Sequence, residues 1–189
     1  MIGKQQINST SRSLAPDLSA TVIEAVLLFL TGAFAIFLHA KFRIGISIPG
    51  HHGLDFMALL LAGRMVSKVK FSSVFLALGI GLMIFLPFIG FKNPISAMGY
   101  LLPVFILDLV YSKLPENKRK AWILALVGGL SYMAVPLFRI LLMAITGIVY
   151  PAAVKYGTPL APVAGFFLFG MIGSGFTAGL FSIIKKYRK

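Results

Sequence analysis

Two of the three histidines in this chain, His51 and His52, stand beside Asp55 in the stretch ISIPGHHGLDFMALLLAGR. Imidazole nitrogens and a carboxylate can ligate a metal ion, transfer protons or contact a polar ligand. Adjacent histidines on a helix or strand point in different directions, whereas an H-x-x-x-H pair would share one helix face. The pattern therefore leaves three interpretations open: a metal site, the lining of a ligand site, or an interfacial polar loop. His39 could join the pair in space, although no sequence feature places it there.

Arg139 is a second candidate, because it lies deep within an apolar segment, in YMAVPLFRILLMA. It precedes Tyr150 by about 11 residues, or about 16 Å along a regular helix, which is too deep for easy snorkelling. Pro136 removes a backbone hydrogen bond and is predicted to open the helix nearby. Two interpretations remain: an internal ion pair with Asp55 or Asp108, or a bidentate contact with a carboxylate or other anionic group.

The elements that must position these residues are strongly apolar. The chain has 189 residues, of which 58% are hydrophobic, and its mean hydropathy is +0.92. An ordinary soluble domain is roughly 45–50% apolar. Apolar runs of roughly 20 residues recur almost end to end, which predicts an all-α, polytopic membrane bundle without a sizeable soluble domain. The sequence has no cysteine, so disulfides, thiolate catalysis and Cys-ligated metals are excluded.

Six candidate spans form one predicted domain, residues 18–184, between a polar segment, residues 1–17, and a basic tail, residues 185–189. The spans are Leu18–Ala40, Leu54–Val69, Phe71–Ile89, Pro94–Ser112, Lys120–Tyr150 with an interruption at Pro136, and Leu160–Ile184. The second span is short, about 24 Å long against a hydrocarbon core of about 30 Å. We predict that it nevertheless crosses, because Arg64 and Lys68 at its end can snorkel to the interface.

The charge distribution predicts an orientation. The chain carries 18 Lys and Arg against 5 Asp and Glu, a formal net charge of +13. The bases fall in short loops, so anionic lipid headgroups rather than nucleic acid are the expected partner. The loop SKLPENKRK and the tail KKYRK are the most basic, which places both in the cytoplasm and, with six spans, both termini inside. Glu24 and Asp108 then lie near the inner side, where the basic loops are their expected partners.

Aromatic and small residues add weaker signals. Tyr132 lies nearer midspan than the other tyrosines and is predicted to face a pocket. The remaining aromatic residues are assigned to the membrane interface by default: Tyr100, Tyr150, Tyr156 and Trp122. Small-residue spacings predict close helix packing at Gly170-x-x-x-Ser174, Gly175-x-x-x-Gly179 and Thr31-x-x-x-Ala35.

On these residues the chain resembles the substrate-binding (S) components of energy-coupling factor vitamin transporters, most nearly the biotin type. The resemblance covers the length, the six short helices, the basic tail and two local patterns. ISIPGHHGLDFMALLLAGR is similar to the loop and second helix of that type, and NPISAMGYLLPVFILDLV to its Gly-Tyr-Leu-led fourth helix. The chain departs from the pattern where His51-His52-Gly53 replaces polar Thr and Gln residues. Thr31 and Ala35 only approximate the Ala-x-x-x-Ala patch by which S components dock on the coupling subunit.

The resemblance implies a non-enzymatic, multi-pass subunit of a bacterial or archaeal cell membrane, without cofactor or metal. It would capture a small vitamin-like molecule, anionic or zwitterionic, from outside and release it inward with a transmembrane coupling subunit and an ATPase module. The chain contains no Walker A pattern, so ATP use would belong to a partner. The predicted substrate-binding residues are Arg139, His51, His52, Asp55, Tyr132 and Tyr100, and the predicted docking residues are Thr31 and Ala35.

Three other functions stay open at this point. One is a small intramembrane, metal-dependent enzyme that uses His51, His52 and Asp55 as ligands or general bases. Another is a cobalt or nickel uptake subunit, which the histidine pair alone favours. The third is a structural helper of a larger complex that binds no ligand.

Overall fold

The computed structural model describes residues 18–42, 48–91, 93–147, 157–158 and 160–187, and every regular element within them is helical. The helices are α1 Leu18–Lys41, α2 Gly53–Val66, α3 Ser72–Phe85, α4 Pro94–Ala97, α5 Leu102–Lys113, α6 Ala121–Thr146 and α7 Ala161–Tyr187. Short 3-10 turns lie at Pro87–Ile89, Met98–Leu101 and Glu116–Lys118. The predicted all-α class is confirmed. The predicted polar segment 1–17, the end of the fifth span at residues 148–150, and Tyr156 lie outside the described residues.

Four helical stretches have the length and apolar composition needed to cross a membrane. They are Ala20–Lys41, Pro94–Lys113, Ala121–Thr146 and Ala161–Tyr187. Pro94–Lys113 joins α4, the turn Met98–Leu101 and α5 into one apolar stretch. The helices α2 and α3 have 14 residues each, or about 21 Å, which is short of the hydrocarbon thickness.

The short α2 is the innermost helix of the bundle. It packs against α1 on one side and α7 on another, and its side chains at Phe56, Met57, Leu60 and Leu61 are fully buried. A helix enclosed by other helices buries its apolar face against protein, so its length need not match the bilayer. This position explains why the segment predicted for α2 is shorter than a membrane-spanning helix requires.

Contacts at the two ends of α2 give its direction. At its start, the ring of His52 lies 5.2 Å, centroid to centroid, from His39 in the last turns of α1. Just after its end, the backbone N–H groups of Lys68 and Val69 donate to the Glu24 carboxylate near the start of α1. The rise of α1 from Glu24 to His39 is about 22 Å. The helix α2 therefore traverses that interval in the opposite direction, and Glu24 contacts the loop through backbone amides rather than through basic side chains alone.

The helix α7 runs parallel to α2. The Thr177 hydroxyl donates to the Ala58 carbonyl at 3.0 Å, and one turn earlier Gly173 lies against the Leu54 carbonyl. Close approach is possible there because a side chain at residue 173 would overlap the α2 backbone. The start of α7 therefore lies at the same end of the bundle as the start of α2.

The predicted small-residue contacts hold in part. Gly170 and Ser174 of α7 pack directly on Gly128 of α6, as the first spacing predicts. In the second spacing, a Cβ at Gly175 would lie 3.2 Å from the Cβ of Ala125 in α6, whereas nothing lies within 4 Å of a Cβ at Gly179. The second spacing therefore makes a close helix contact at its first glycine only. Ala35 is fully buried.

Thr31, the other residue of the predicted docking patch, is half-buried and bonds within its own helix. Its hydroxyl donates to the Leu27 carbonyl at 2.8 Å. Its neighbour Gly32 lies against the backbone of Leu76, so the small residues of α1 serve the contact with α3. This part of α1 thus makes an internal helix contact, and docking at Thr31 and Ala35 stays a prediction.

Two further boundaries differ from the sequence prediction. The helix α6 is continuous through the buried Pro136, so the predicted interruption is wrong. A proline removes one backbone N–H, and packed neighbours can hold the helix on both sides of that position. The helix α7 extends to Tyr187 and holds Lys185 and Lys186 in its last turn, so the basic tail begins inside the helix. Arg188 and Lys189 lie outside the described residues.

Candidate functional site

Most of the predicted site residues converge at the end of the bundle where α2 and α7 begin. We call this group the histidine cluster and define it as His39, His51, His52, Asp55, Tyr100, Tyr132 and Arg139. Its members come from α1, the loop before α2, the start of α2, the 3-10 turn before α5, and α6. The whole histidine content of the chain, three residues, is gathered there.

The loop that carries His51 and His52 is fixed by two glycines. Gly50 has φ +86° and lies against the backbone and ring of Phe166, where a larger residue would be both strained and obstructed. Gly165 lies against the Pro49 carbonyl in the same way. The backbone N–H of Gly53 donates to the Gly50 carbonyl at 2.7 Å and closes the turn. Contacts with the start of α7 thus fix the position of the loop that carries the two histidines.

A chain of polar contacts connects Arg139 to the interior. Arg139 Nη2 donates to the Tyr100 hydroxyl oxygen at 3.0 Å, and that oxygen lies 2.7 Å from His39 Nε2. Because the Tyr100 oxygen accepts from the guanidinium, its own proton is available to His39. Arg139 Nε also approaches the Ser96 carbonyl, at a long 3.5 Å. The guanidinium carbon lies 5.0 Å from the centroid of the Tyr100 ring.

Tyr100 therefore differs from its predicted role at the membrane interface. It is only 3% exposed and lies between a permanent cation and a buried imidazole. It comes from the turn Met98–Leu101, whose tight geometry brings the tyrosine towards α6. The sequence signal was the Gly-Tyr-Leu pattern itself, which gave no indication of depth.

Tyr132 forms the floor of the histidine cluster. It is fully buried and its ring stacks on Phe166, with centroids 4.7 Å apart and planes inclined by 22°. Its hydroxyl lies 3.5 Å from His39 Nδ1, a distance at the limit of a hydrogen bond. Gly53 leaves the space that the ring occupies, since a Cβ there would overlap it.

Sequence reasoning missed two residues of this site. His39 is 8% exposed and lies at the centre, with His52, Phe56 and Tyr100 as ring neighbours. Phe56 is fully buried and packs edge-on against His39 and Tyr100, which provides an apolar wall. The sequence indicated His39 only as a residue that could join the pair, because a single sequence does not show which helices are neighbours.

The remaining polar atoms lie at the start of α2. His51 Nδ1 is 2.8 Å from the Ile48 carbonyl, and the rings of His51 and His52 are 3.9 Å apart, centroid to centroid. His51 Nε2 and Asp55 Oδ2 are buried atoms without a hydrogen-bond partner in the described structure. Within that same part of the chain, no group of three or more His, Cys, Asp or Glu side chains has the arrangement of a metal site.

A second polar group lies at the opposite end of α2, and we call it the ion-pair cluster: Arg64, Asp108, Tyr111 and Arg119. Arg64 and Asp108 form an ion pair, with side chains 15% and 13% exposed. The Tyr111 ring lies between two guanidinium groups, at 4.6 Å from Arg64 and 4.3 Å from Arg119. The predicted alternative in which Asp108 pairs with Arg139 is therefore wrong, since α2 and α5 bring Arg64 to Asp108 instead.

Comparisons of the chain with protein-family models, with curated proteins and with solved structures find no match. Function is accordingly argued below from the geometry and chemistry of the two clusters.

Proposed function

We propose that the chain is the membrane-embedded binding subunit of an uptake transporter, and that the histidine cluster captures a small anionic or zwitterionic, vitamin-like nutrient. The observation that carries this proposal is the contact of Arg139 with Tyr100, whose hydroxyl in turn contacts His39, at one end of an apolar bundle. A guanidinium is always charged in proteins and matches the geometry of a carboxylate. Charged groups at membrane depth are costly and are most often functional.

The orientation of the bundle supports capture from outside. Except for Lys41, the exposed bases of the described chain lie at the end opposite the histidine cluster: Lys68, Lys70, Lys113, Lys118, Lys120, Lys185 and Lys186. The positive-inside rule makes that end cytoplasmic, so the histidine cluster faces outward. In this proposal α2 and α3 also cross the membrane, which gives six spans, because α2 covers the same depth interval as α1.

Delivery requires a second component. The chain contains no Walker A pattern, so the proposal assigns ATP hydrolysis to a separate module and the contact with it to a transmembrane coupling subunit. The resemblance to S components and the polar cluster within the bundle are the support for this part of the proposal, which places the chain in a bacterial or archaeal cell membrane.

The alternative functions find less support in the geometry. A metal-dependent enzyme or a cobalt or nickel uptake subunit would use His51, His52 and Asp55 as ligands. Zinc sites need at least three protein ligands, and the described residues hold no group of that kind. Metal analysis of the purified protein tests this alternative directly, and one tightly bound transition metal per chain would favour it over nutrient capture.

The substitution Arg139→Gln tests the proposal. We expect uptake and ligand retention to be lost, while the amount of protein in the membrane stays unchanged. Lys41→Gln is the matched control, because Lys41 is an exposed base at the same end of the bundle. Ligand retention by Arg139→Gln at the wild-type level would refute the role of Arg139, and absence of any ATPase module among co-purifying proteins would refute the transport assignment.

A further inference from the structure

The start of α2 presents two hydrogen-bond acceptors that the protein itself leaves without donors. The Ile48 carbonyl can only accept, so the 2.8 Å contact places an N–H at His51 Nδ1. In the neutral ring His51 Nε2 is then a lone pair, and it is buried without a partner, as is Asp55 Oδ2. Buried acceptors are normally satisfied, so an unsatisfied pair requires an explanation.

His51 and Asp55 are four residues apart, His51 in the turn that leads into α2 and Asp55 in the first turn of α2. The Leu54 N–H bonds to the His51 carbonyl and the Phe56 N–H to the His52 carbonyl, so the helical path already begins at the histidines. Residues at this spacing are neighbours on the helix surface. An imidazole nitrogen and a carboxylate oxygen that both lack a donor suit an N–H-rich, positively charged group.

We infer that this acceptor pair, His51 Nε2 and Asp55 Oδ2, binds the amino group of the captured molecule, whose acid group contacts Arg139. The ligand class is therefore a zwitterion of the amino acid type. This inference rests on the proposed function, since it assumes that a small molecule is captured at the histidine cluster. The proposed function allowed an anionic or a zwitterionic ligand, and this inference selects the zwitterionic one.

The two ends of the cluster belong to one site. Successive ring centroids are separated by 3.9 Å from His51 to His52, 5.2 Å from His52 to His39, and 4.4 Å from His39 to Tyr100. Tyr100 in turn contacts Arg139. The cluster thus has a cationic end at Arg139 and an acceptor end at Asp55, joined by imidazole and phenol groups that can hydrogen-bond to the middle of a ligand.

The cationic end at Arg139 and the acceptor end at Asp55 together would discriminate between ligand classes. A plain carboxylic acid would leave the acceptors at His51 and Asp55 unsatisfied, and a dicarboxylic acid would bring a second negative charge to Asp55. A plain amine would bring no acid group to Arg139. Sites that contain buried polar groups reject analogues that leave those groups unpaired. A zwitterion is the class that satisfies both ends.

The test compares small molecules that co-purify with the full-length protein and its variants. Each protein is extracted from membranes in mild detergent, checked by size-exclusion chromatography, and denatured to release bound molecules. These are counted per chain by mass spectrometry, with and without an amine-reactive label, and metals are measured in parallel. The variants are Arg139→Gln, Asp55→Asn and His51→Asn, with Glu116→Gln as an exposed acidic control at the opposite end. In His51→Asn the amide can still donate to the Ile48 carbonyl, but the Nε2 acceptor is gone.

We expect a molecule that carries both an acid and an amine, reduced at least about tenfold in all three site variants and unchanged in Glu116→Gln. A molecule that depends on Arg139 but lacks N–H groups, or that survives Asp55→Asn and His51→Asn, would overturn the inference and leave nutrient capture standing. A stoichiometric metal lost with Asp55→Asn would also overturn the inference. If no molecule is reduced in any variant, or none co-purifies with the wild-type protein, both the inference and the proposed function fail.

Discussion

The two polar clusters at opposite ends of α2 use similar residues in different ways. Each has an arginine beside a buried tyrosine, Arg139 with Tyr100 and Arg64 with Tyr111. At the ion-pair cluster the guanidinium meets a carboxylate of the same chain, and the tyrosine contributes its ring face. At the histidine cluster the guanidinium meets a hydroxyl, and two acceptor atoms nearby have no partner in the described structure. The proposed function assigns ligand binding to the histidine cluster, and the ion pair makes the opposite cluster the one expected to stabilise the bundle.

Breaking the ion pair should give the largest loss of stability. In Asp108→Leu the half-buried Arg64 loses its carboxylate, which costs about 3 kcal/mol of unfolding free energy, or about 6–12 °C in Tm for a chain of this size. The double variant Arg64→Met with Asp108→Leu should regain most of this loss, because an apolar pair replaces the ion pair. Thermal unfolding in detergent measures both. Equal stability of Asp108→Leu and the wild-type protein would show that this cluster does not hold the bundle.

A methyl group at Gly53 should disturb the opposite end. A Cβ there overlaps the ring of the fully buried Tyr132, so Gly53→Ala should cost about 2 kcal/mol of unfolding free energy and should reduce ligand retention. Gly81→Ala is the matched control, because nothing lies within 4 Å of a Cβ at that helical position. It should be neutral or stabilising by up to about 1 kcal/mol. Similar unfolding temperatures for the two variants would argue against the tight Gly53–Tyr132 contact.

Removal of the hydroxyl should have different effects at the two tyrosines, Tyr100 and Tyr111. Tyr100→Phe deletes the oxygen that joins Arg139 to His39, so we expect a cost of about 1 kcal/mol in stability and about a tenfold loss of ligand retention. Tyr111→Phe keeps the ring face between the two guanidinium groups, so it should change neither quantity. The measurements are thermal unfolding and the amount of bound molecule per chain. A larger effect from Tyr111→Phe than from Tyr100→Phe would reverse the roles assigned to the two ends.

The smallest effect is expected from Arg119 at the edge of the ion-pair cluster. Its guanidinium stacks on Tyr111 and its Nε donates to the Leu114 carbonyl at 2.9 Å. Arg119→Gln should lower stability by about 0.5–1 kcal/mol and leave ligand retention unchanged. Thermal unfolding checks the first expectation and mass spectrometry the second. Lost retention in this variant would mean that the two clusters are coupled across α2.

Part of the site was predictable, because burying a charged or polar side chain at membrane depth costs free energy and such residues are therefore conspicuous in an apolar sequence. Arg139, His51, His52 and Asp55 stand out in an apolar sequence, and the structure places all four at one end. The pairing of Arg64 with Asp108 and the central place of His39 were not predictable in the same way. Each depends on which helices are neighbours, and a single sequence records no distances between segments.

The helices themselves were largely predictable, because apolar length and charged loop ends mark them. The sequence prediction was wrong at Pro136, where the helix continues, and it did not indicate that Ala35 is fully buried. Both differences have the same physical cause. A local sequence pattern shows which structures a residue allows, such as a kink or a close helix contact. Packing against neighbouring helices determines which of these structures forms.

The amino-acid sequence by itself determined that this protein is all-helical and that several of its helices are long and apolar enough to cross a membrane, where backbone hydrogen bonds must be satisfied within helices. It also determined which loops are basic and which polar residues fall within apolar segments, where their burial costs free energy. Only the tertiary structure decided that α2 is enclosed and antiparallel to α1, that Asp108 belongs to Arg64, and that three histidines meet two tyrosines and an arginine. These outcomes depend on packing between distant segments, where glycines such as Gly53 and Gly165 allow contacts that no local pattern specifies.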